Sequence, residues 1–246
     1  IVTNNEPLLD FVRHAGISTR VEIIPNGVDP QRFYPADDQQ QRQTIRDALG
    51  IAASDIMITT VGGIMPRKGS HLLLEAWAQL AAEFPHVHLV LVGPRKDLEQ
   101  PGLKSFRNQL NKTVSTSGAP ERVHFTGLCK NVEEYQRAAD IFVLPSEREG
   151  MPNSVLEAMA SRVAVIVTPF KGLSHDLGTP GTHFLLCDRN VTDLASALRL
   201  LLKNPAQRSK FAAQGYQWIR ENMNIERSLD RYAALYHELA AAHKTE

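Results

Sequence analysis

The stretch from Asp140 to Val167 leaves this chain few folds to choose from. Asp140-Ile141-Phe142-Val143-Leu144 is an apolar run of buried-strand length, Val155 to Ala160 reads as helix, and Val163-Ala164-Val165-Ile166-Val167 is a second buried strand. Strand, loop, helix and strand in that order make a βαβ unit, whose two strands run parallel because the crossover returns the chain to the end it started from. Further strand patterns at 56–61, 86–92 and 123–127 alternate with helical ones. The fold class is therefore α/β: an open, mostly parallel Rossmann-like sheet with helices on both faces. Open sheets of this kind bind ligands outside the carboxyl ends of their strands, which is where the loop after Leu144 lies.

That loop carries distinctive chemistry. Glu149 precedes the helix, Glu157 lies about one turn inside it, and seven residues separate them. The first backbone N–H groups of a helix have no intrahelical partner, so those near Asn153 to Leu156 offer an anion site between two carboxylates. Carboxylates repel phosphate but accept hydrogen bonds from sugar hydroxyls. The pattern suits a ligand with sugar, phosphate and sugar in series, as in a nucleotide sugar. The same residues also fit an S-x-x-E capping box, Ser154 to Glu157, which would make Glu157 structural.

The run Glu149-Gly150-Met151-Pro152-Asn153-Ser154-Val155-Leu156-Glu157-Ala158-Met159-Ala160 resembles the E-x7-E signature of retaining glycosyltransferases of family 4 (glycosyl transferases group 1), which have the GT-B fold. The resemblance implies that Glu149 meets the transferred sugar, that Glu157 holds the ribose, and that Gly150, Met151, Pro152, Asn153, Ser154 and Val155 line the donor site. Val61-Gly62-Gly63 through Lys68-Gly69 resembles the family's V-G-R-x-x-x-x-K-G segment, whose arginine and lysine bind the donor diphosphate. Lys68 matches the lysine. Gly63 stands at the arginine position, and Arg67 or Arg95 are the candidate replacements. The order Lys68-Gly69-Ser70 does not fit a G-x-x-x-x-G-K-[ST] loop, and the helix after it is expected to be capped near Ser70. Val123-His124-Phe125-Thr126-Gly127 resembles the family's F-x-G segment, which implies that Leu128 and Cys129 meet the base. Glu149 and Lys68 are the implied catalytic pair, with Lys68 and the helix N-terminus near Ser154 stabilising the departing diphosphate.

Pro25-Asn26-Gly27-Val28-Asp29 with Phe33 and Pro35 resembles the family's interdomain linker. This divides the chain into 1–35 (the end of an acceptor domain and the linker), 36–225 (the donor-binding domain) and 226–246 (a terminal helix crossing back). Leu229, Tyr232, Tyr236 and Leu239 give that last helix an apolar stripe. The bulk of an N-terminal acceptor domain is expected to be missing. The implied reaction moves a sugar from a nucleoside-diphosphate sugar to a hydroxyl of a saccharide, lipid or small molecule. The alternatives are a nucleotide-sugar-binding module inactive alone, and another GT-B enzyme such as a sugar phosphorylase or epimerase.

Composition narrows the partners. The 246 residues are 43% hydrophobic and 22% charged, enough for a sizeable core, and 27 basic residues balance 27 acidic ones. That balance argues against nucleic-acid binding and leaves membrane contact at most peripheral. No apolar run reaches the roughly 18 residues of a span. Two separated cysteines, Cys129 and Cys187, fit a reduced, cytoplasmic setting. No metal-ligand spacing appears among the nine histidines, so neither metal nor cofactor is expected. Leu73, Trp77, Leu80, Ala81 and Phe84 form a core-facing stripe, with Trp77 a core residue.

Overall fold

The computed structural model describes residues 1–4 and 6–242. In chain order its elements are β1 (Val2–Thr3), α1 (Glu6–His14), β2 (Glu22–Ile23), α2 (Gln39–Ala48), β3 (Ile56–Val61), α3 (Ser70–Ala78), β4 (Val87–Val92), α4 (Lys96–Glu99), α5 (Lys104–Thr116), β5 (Val123–Gly127), α6 (Val132–Ala138), β6 (Ile141–Leu144), α7 (Asn153–Ala160), β7 (Ala164–Val167), β8 (Leu185–Leu186), α8 (Val191–Lys203), α9 (Pro205–Asn222) and α10 (Ile225–Ala242). Asn5, the side chain of Leu8 and residues 243–246 lie outside the described part, including the end of the expected terminal helix.

Six strands form one parallel sheet in the order β5-β4-β3-β6-β7-β8. The order reverses between β3 and β6, and the loops leaving their carboxyl ends open toward each other there. The α/β class and the parallel sheet expected from the sequence are both present. Strand residues alternate between two cores, as the pleat requires. Ile58, Leu89, Leu91, Ile141, Val143, Ala164 and Ile166 face α3, α5 and α8. Phe142, Leu144, Val165 and Val167 face α7 and α9, while Met57, Val90 and Val92 lie in a neighbouring cluster with Ile45 of α2 and Ala138 of α6. Trp77 is buried in the first core, as expected. Burial on both faces explains why β6 and β7 read as unbroken apolar runs and β4 as one broken only at His88.

A separate parallel pair joins β1 to β2. The terminal helix α10 docks on this segment rather than on the large sheet. Ser228 donates to the Pro25 carbonyl at 2.7 Å, Arg231 donates to the Ile23 carbonyl, and Glu238 pairs with Arg20. A bridge between Val28 and Asn224 completes the join. Leu235 is buried, whereas Leu229, Tyr236 and Leu239 of the expected stripe stand exposed, as does Phe11 of α1.

The cap of α3 lies next to Ser70, as expected, and the alternative capping-box reading of α7 is not realised. Gly69 occupies the cap position of α3 in a left-handed conformation with φ of 71°, no side-chain hydrogen bond caps the helix, and the buried Ser70 hydroxyl has no hydrogen-bond partner among the described residues. A Cβ at Gly69 would fall 2.0 Å from the Pro145 carbonyl oxygen, so this close approach and not hydroxyl capping fixes the residue. The S-x-x-E box is not formed either. Pro152 holds the cap position of α7, which puts Ser154 inside the helix and leaves Glu157 no cap to complete.

Candidate functional site

Lys68 and Glu149 come from different loops, one after β3 and one after β6. The Lys68 ammonium lies 2.6 Å from Glu149 Oε1, with side-chain exposures of 22% and 11%. Partial desolvation makes such a pair costly to leave half-formed. The two residues singled out for catalysis thus form one ion pair at the point where the strand order reverses.

Backbone geometry holds each partner. Residues 147–149 run beside Lys171 and continue the parallel ladder past the ends of β6 and β7: Lys171 N–H donates to the Glu147 carbonyl at 3.1 Å, and Glu149 N–H to the Lys171 carbonyl at 3.2 Å. Gly172 follows with φ of 102°, and a Cβ there would fall 2.2 Å from the Glu149 carbonyl oxygen. On the other side, Glu147 N–H donates to the Arg67 carbonyl at 2.8 Å. The Lys68 side chain runs along Gly62, its ammonium 3.9 Å from where a Cβ would stand.

The N-terminus of α7 is less open than the spacing suggests. Asn153 N–H donates to the Met151 carbonyl, and Val155 and Leu156 N–H both donate to that of Pro152. Of the four groups expected to be available, the Ser154 N–H is the one without a backbone acceptor among the described residues. The tight turn at Met151-Pro152 uses the others. Met151, Pro152 and Val155 are buried and help seat the helix, Gly150 and Asn153 are exposed, and Ser154 is half-buried. The Asn153 side chain accepts from Asn26, in the loop after β2, at 2.8 Å.

Glu157 has no hydrogen-bond or ion-pair partner for its carboxylate among the described residues. Burial pushes its carboxyl above the usual carboxylate range; Arg32 opposes that shift and Glu133 adds to it. Arg32 pairs with Glu133 at 2.9 Å. A half-buried acceptor with unused lone pairs suits a neutral hydroxyl-bearing ligand.

The remaining sequence-predicted residues separate into two groups. Leu128 is 83% exposed beyond the end of β5. Cys129 is half-buried, and burial raises its thiol. Gly62 and Gly63 leave β3 beside the Lys68 stem. Arg67 is exposed, with a weak 3.5 Å bond to the Arg148 carbonyl. Arg95, the other replacement considered for the position of Gly63, is engaged elsewhere: it grips the buried Asp97 with two bonds, at 2.8 and 2.6 Å, and stacks over Phe125. No group of three or more His, Cys, Asp or Glu among the described residues is placed to hold a metal ion.

The sequence profile of the glycosyl transferases group 1 family matches residues 41–218. The chain belongs to that family. Among relatives of this group 1 glycosyltransferase, D-inositol 3-phosphate glycosyltransferase of Geodermatophilus obscurus is 30% identical over 244 residues, covering 94% of this chain and 51% of that protein. Mannosylfructose-phosphate synthase of Agrobacterium fabrum is 32% identical over 172 residues, 68% of this chain and 36% of that protein. The chain spans about half the length, or less, of these relatives. Sucrose-phosphate synthase of Thermosynechococcus elongatus superposes with a TM-score of 0.81 at 25% identity, covering 98% of this chain and 58% of that one. The C-terminal domain of a group 1 glycosyl transferase of Francisella tularensis superposes with a TM-score of 0.70 at 30% identity, covering 81% of this chain and all of that domain.

Sequence reasoning about this group 1 chain missed Asn26, Arg32, Glu133 and Gly172. Each reaches the site from another loop or helix, and no local pattern marks it. Gly172 differs only in that it follows closely on the buried strand ending at Val167, whose carboxyl end opens on the same side as that of the strand ending at Leu144.

Proposed function

We propose that this chain is the donor-binding half of a retaining glycosyltransferase, which moves a sugar from a nucleoside-diphosphate sugar to an acceptor hydroxyl once an acceptor-binding half completes the cleft. One observation carries the reading: the Lys68–Glu149 pair, at 2.6 Å, lies where the order of the sheet reverses. The neighbouring α7 contributes the Ser154 N–H and, one turn in, the unpartnered carboxylate of Glu157.

The roles follow from charge. Lys68 and the Ser154 N–H take the diphosphate, since a fixed cation and a helix N-terminus both stabilise the charge that grows as the anomeric bond breaks. Glu149 accepts from sugar hydroxyls and opposes the positive charge developing at the ring. Glu157 accepts from the ribose. Leu128 and Cys129 meet the base beyond β5. The related proteins named above, two glycosyltransferases and two synthases of phosphorylated saccharides, are in keeping with sugar transfer.

Calorimetric titration with UDP, GDP and ADP, of this chain and of Glu157→Ala, tests the reading. Saturable binding of one nucleotide, weakened at least tenfold in the variant, is expected, since removing a charged hydrogen-bond partner costs about 1.5–3 kcal/mol. Heat of dilution alone with all three overturns it.

A further inference from the structure

Arg32 leaves the loop after β2 and reaches α6. Its Nε and Nη2 both meet Glu133 Oε2, at 3.0 and 2.9 Å, and Nη2 also donates to the Lys130 carbonyl at 3.3 Å. Arg137, one turn further along α6, donates to the Arg32 carbonyl at 2.9 Å. Arg32 is thus held to α6 by both its side chain and its backbone. Because both of its nitrogens converge on one carboxylate oxygen, Glu133 Oε1 has no hydrogen-bond partner among the described residues. The charge of Glu133 is shared with Arg32, but the lone pairs of Oε1 are unused.

Glu133 stands close to the residues assigned to ribose and to base. Gln136, one turn after it on α6, donates to the Ser154 carbonyl at 3.2 Å, and Ser154 is one turn before Glu157 on α7. The two helices therefore meet along the faces that carry the two carboxylates. Glu133 also adds to the burial that raises the carboxyl of Glu157, and to the burial that raises the thiol of Cys129. A ribose offers two neighbouring hydroxyls, each with one hydrogen to donate. A carboxylate already paired with an arginine accepts such a bond while repelling the nearby diphosphate less than a bare one does. We propose that Glu133 is a second ribose-binding residue of the donor site, its Oε1 accepting from the hydroxyl that Glu157 does not take. This rests on the donor-binding reading above.

Titration of the parent chain and of Glu133→Ala with the nucleoside diphosphate that the parent binds, and with its 2′-deoxy and 3′-deoxy forms, tests it. The parent is expected to bind each deoxy form about tenfold more weakly than the ribonucleotide. Glu133→Ala is expected to lose about tenfold for the ribonucleotide, yet to bind one of the deoxy forms within about twofold of the parent, since the hydroxyl that Glu133 holds is absent there. Melting curves check that the variant folds, and Glu133→Gln, which keeps the shape and only weakens the acceptor, should show the same pattern in smaller degree. Ribonucleotide affinity in Glu133→Ala within about twofold of the parent overturns the assignment. So does an equal loss for the ribonucleotide and both deoxy forms, which would make the part of Glu133 structural. A parent chain that binds no nucleotide overturns the donor-binding reading and this inference together, whereas a loss in Glu157→Ala with none in Glu133→Ala overturns this one alone.

Discussion

Gly172 and Glu157 show two ways in which one residue can set this site. Gly172 has a φ of 102° and no room for a Cβ beside the Glu149 carbonyl oxygen. Gly172→Ala has to relieve both by moving the loop, so a loss of about 1–3 kcal/mol in denaturant stability is expected. The Lys68–Glu149 pair would be displaced with it, and nucleotide titration should weaken in parallel. Glu157 works in the opposite direction. Burial raises its carboxyl, so the folded protein disfavours the charged form that predominates in the unfolded chain. Glu157→Gln is accordingly expected to raise the melting temperature at pH 7, by an amount of order 1 °C, while weakening nucleotide binding. A variant that melts lower than the parent would remove this trade-off. Of these residues the sequence exposed Glu149, Glu157 and Lys68, because charged side chains at fixed intervals around a strand, a loop and a helix are local signals. Arg32, Glu133 and Asn26 come from segments distant in the chain and carry no such mark.

At the scale of elements, α7 is the part most tightly specified. Val155, Leu156, Ala158 and Met159 are wholly buried between the sheet and α9. The two helices approach closely at Gly215, where a Cβ would lie 2.9 Å from the His183 carbonyl oxygen and 3.3 Å from Met159 Cγ. Gly215→Val should push α9 outward and cost about 1–3 kcal/mol, read as a lower denaturation midpoint at unchanged m-value. The five longer strands of the large sheet were legible, since runs such as Val163 to Val167 have the length and composition of strands buried on both faces. The starts of α3 and α7 fall close to where the sequence puts them, but the residues that cap them were not legible. Ser70 and Ser154 are good capping residues by type, but the cap of α3 was decided by the distant contact of Gly69 with Pro145, and that of α7 by the neighbouring turn at Met151-Pro152.

For the molecule as a whole, acid stability follows from four histidines on different elements. Burial lowers the pKa of His71, His88, His124 and His183 below the ordinary 6.5. His88 Nδ1 lies 3.1 Å from His124 Nε2, and its Nε2 3.3 Å from Asp55. A lowered folded value means that the unfolded chain binds more protons in the window below 6.5. These groups therefore leave stability intact above that value and remove it as pH falls through and below it. Urea denaturation between pH 7.5 and 5 should show a falling midpoint, with a shallower slope in His124→Gln; a flat profile would count against the buried histidines. The large sheet and its helices could be read from the chain, yet the contacts of α10 with β2 and the loop after it could not, because they join residues more than two hundred positions apart. One feature of the site reaches further. The loop bearing Glu149 is bonded to Lys171 on the same parallel ladder as β6 and β7, so its amides belong to the sheet and not to a surface segment. The N–H groups of Glu149 and Lys171 should then exchange with deuterium at rates near those of buried strands. A ligand arriving there meets a carboxylate already held in place, and little of its binding free energy is spent on ordering the chain.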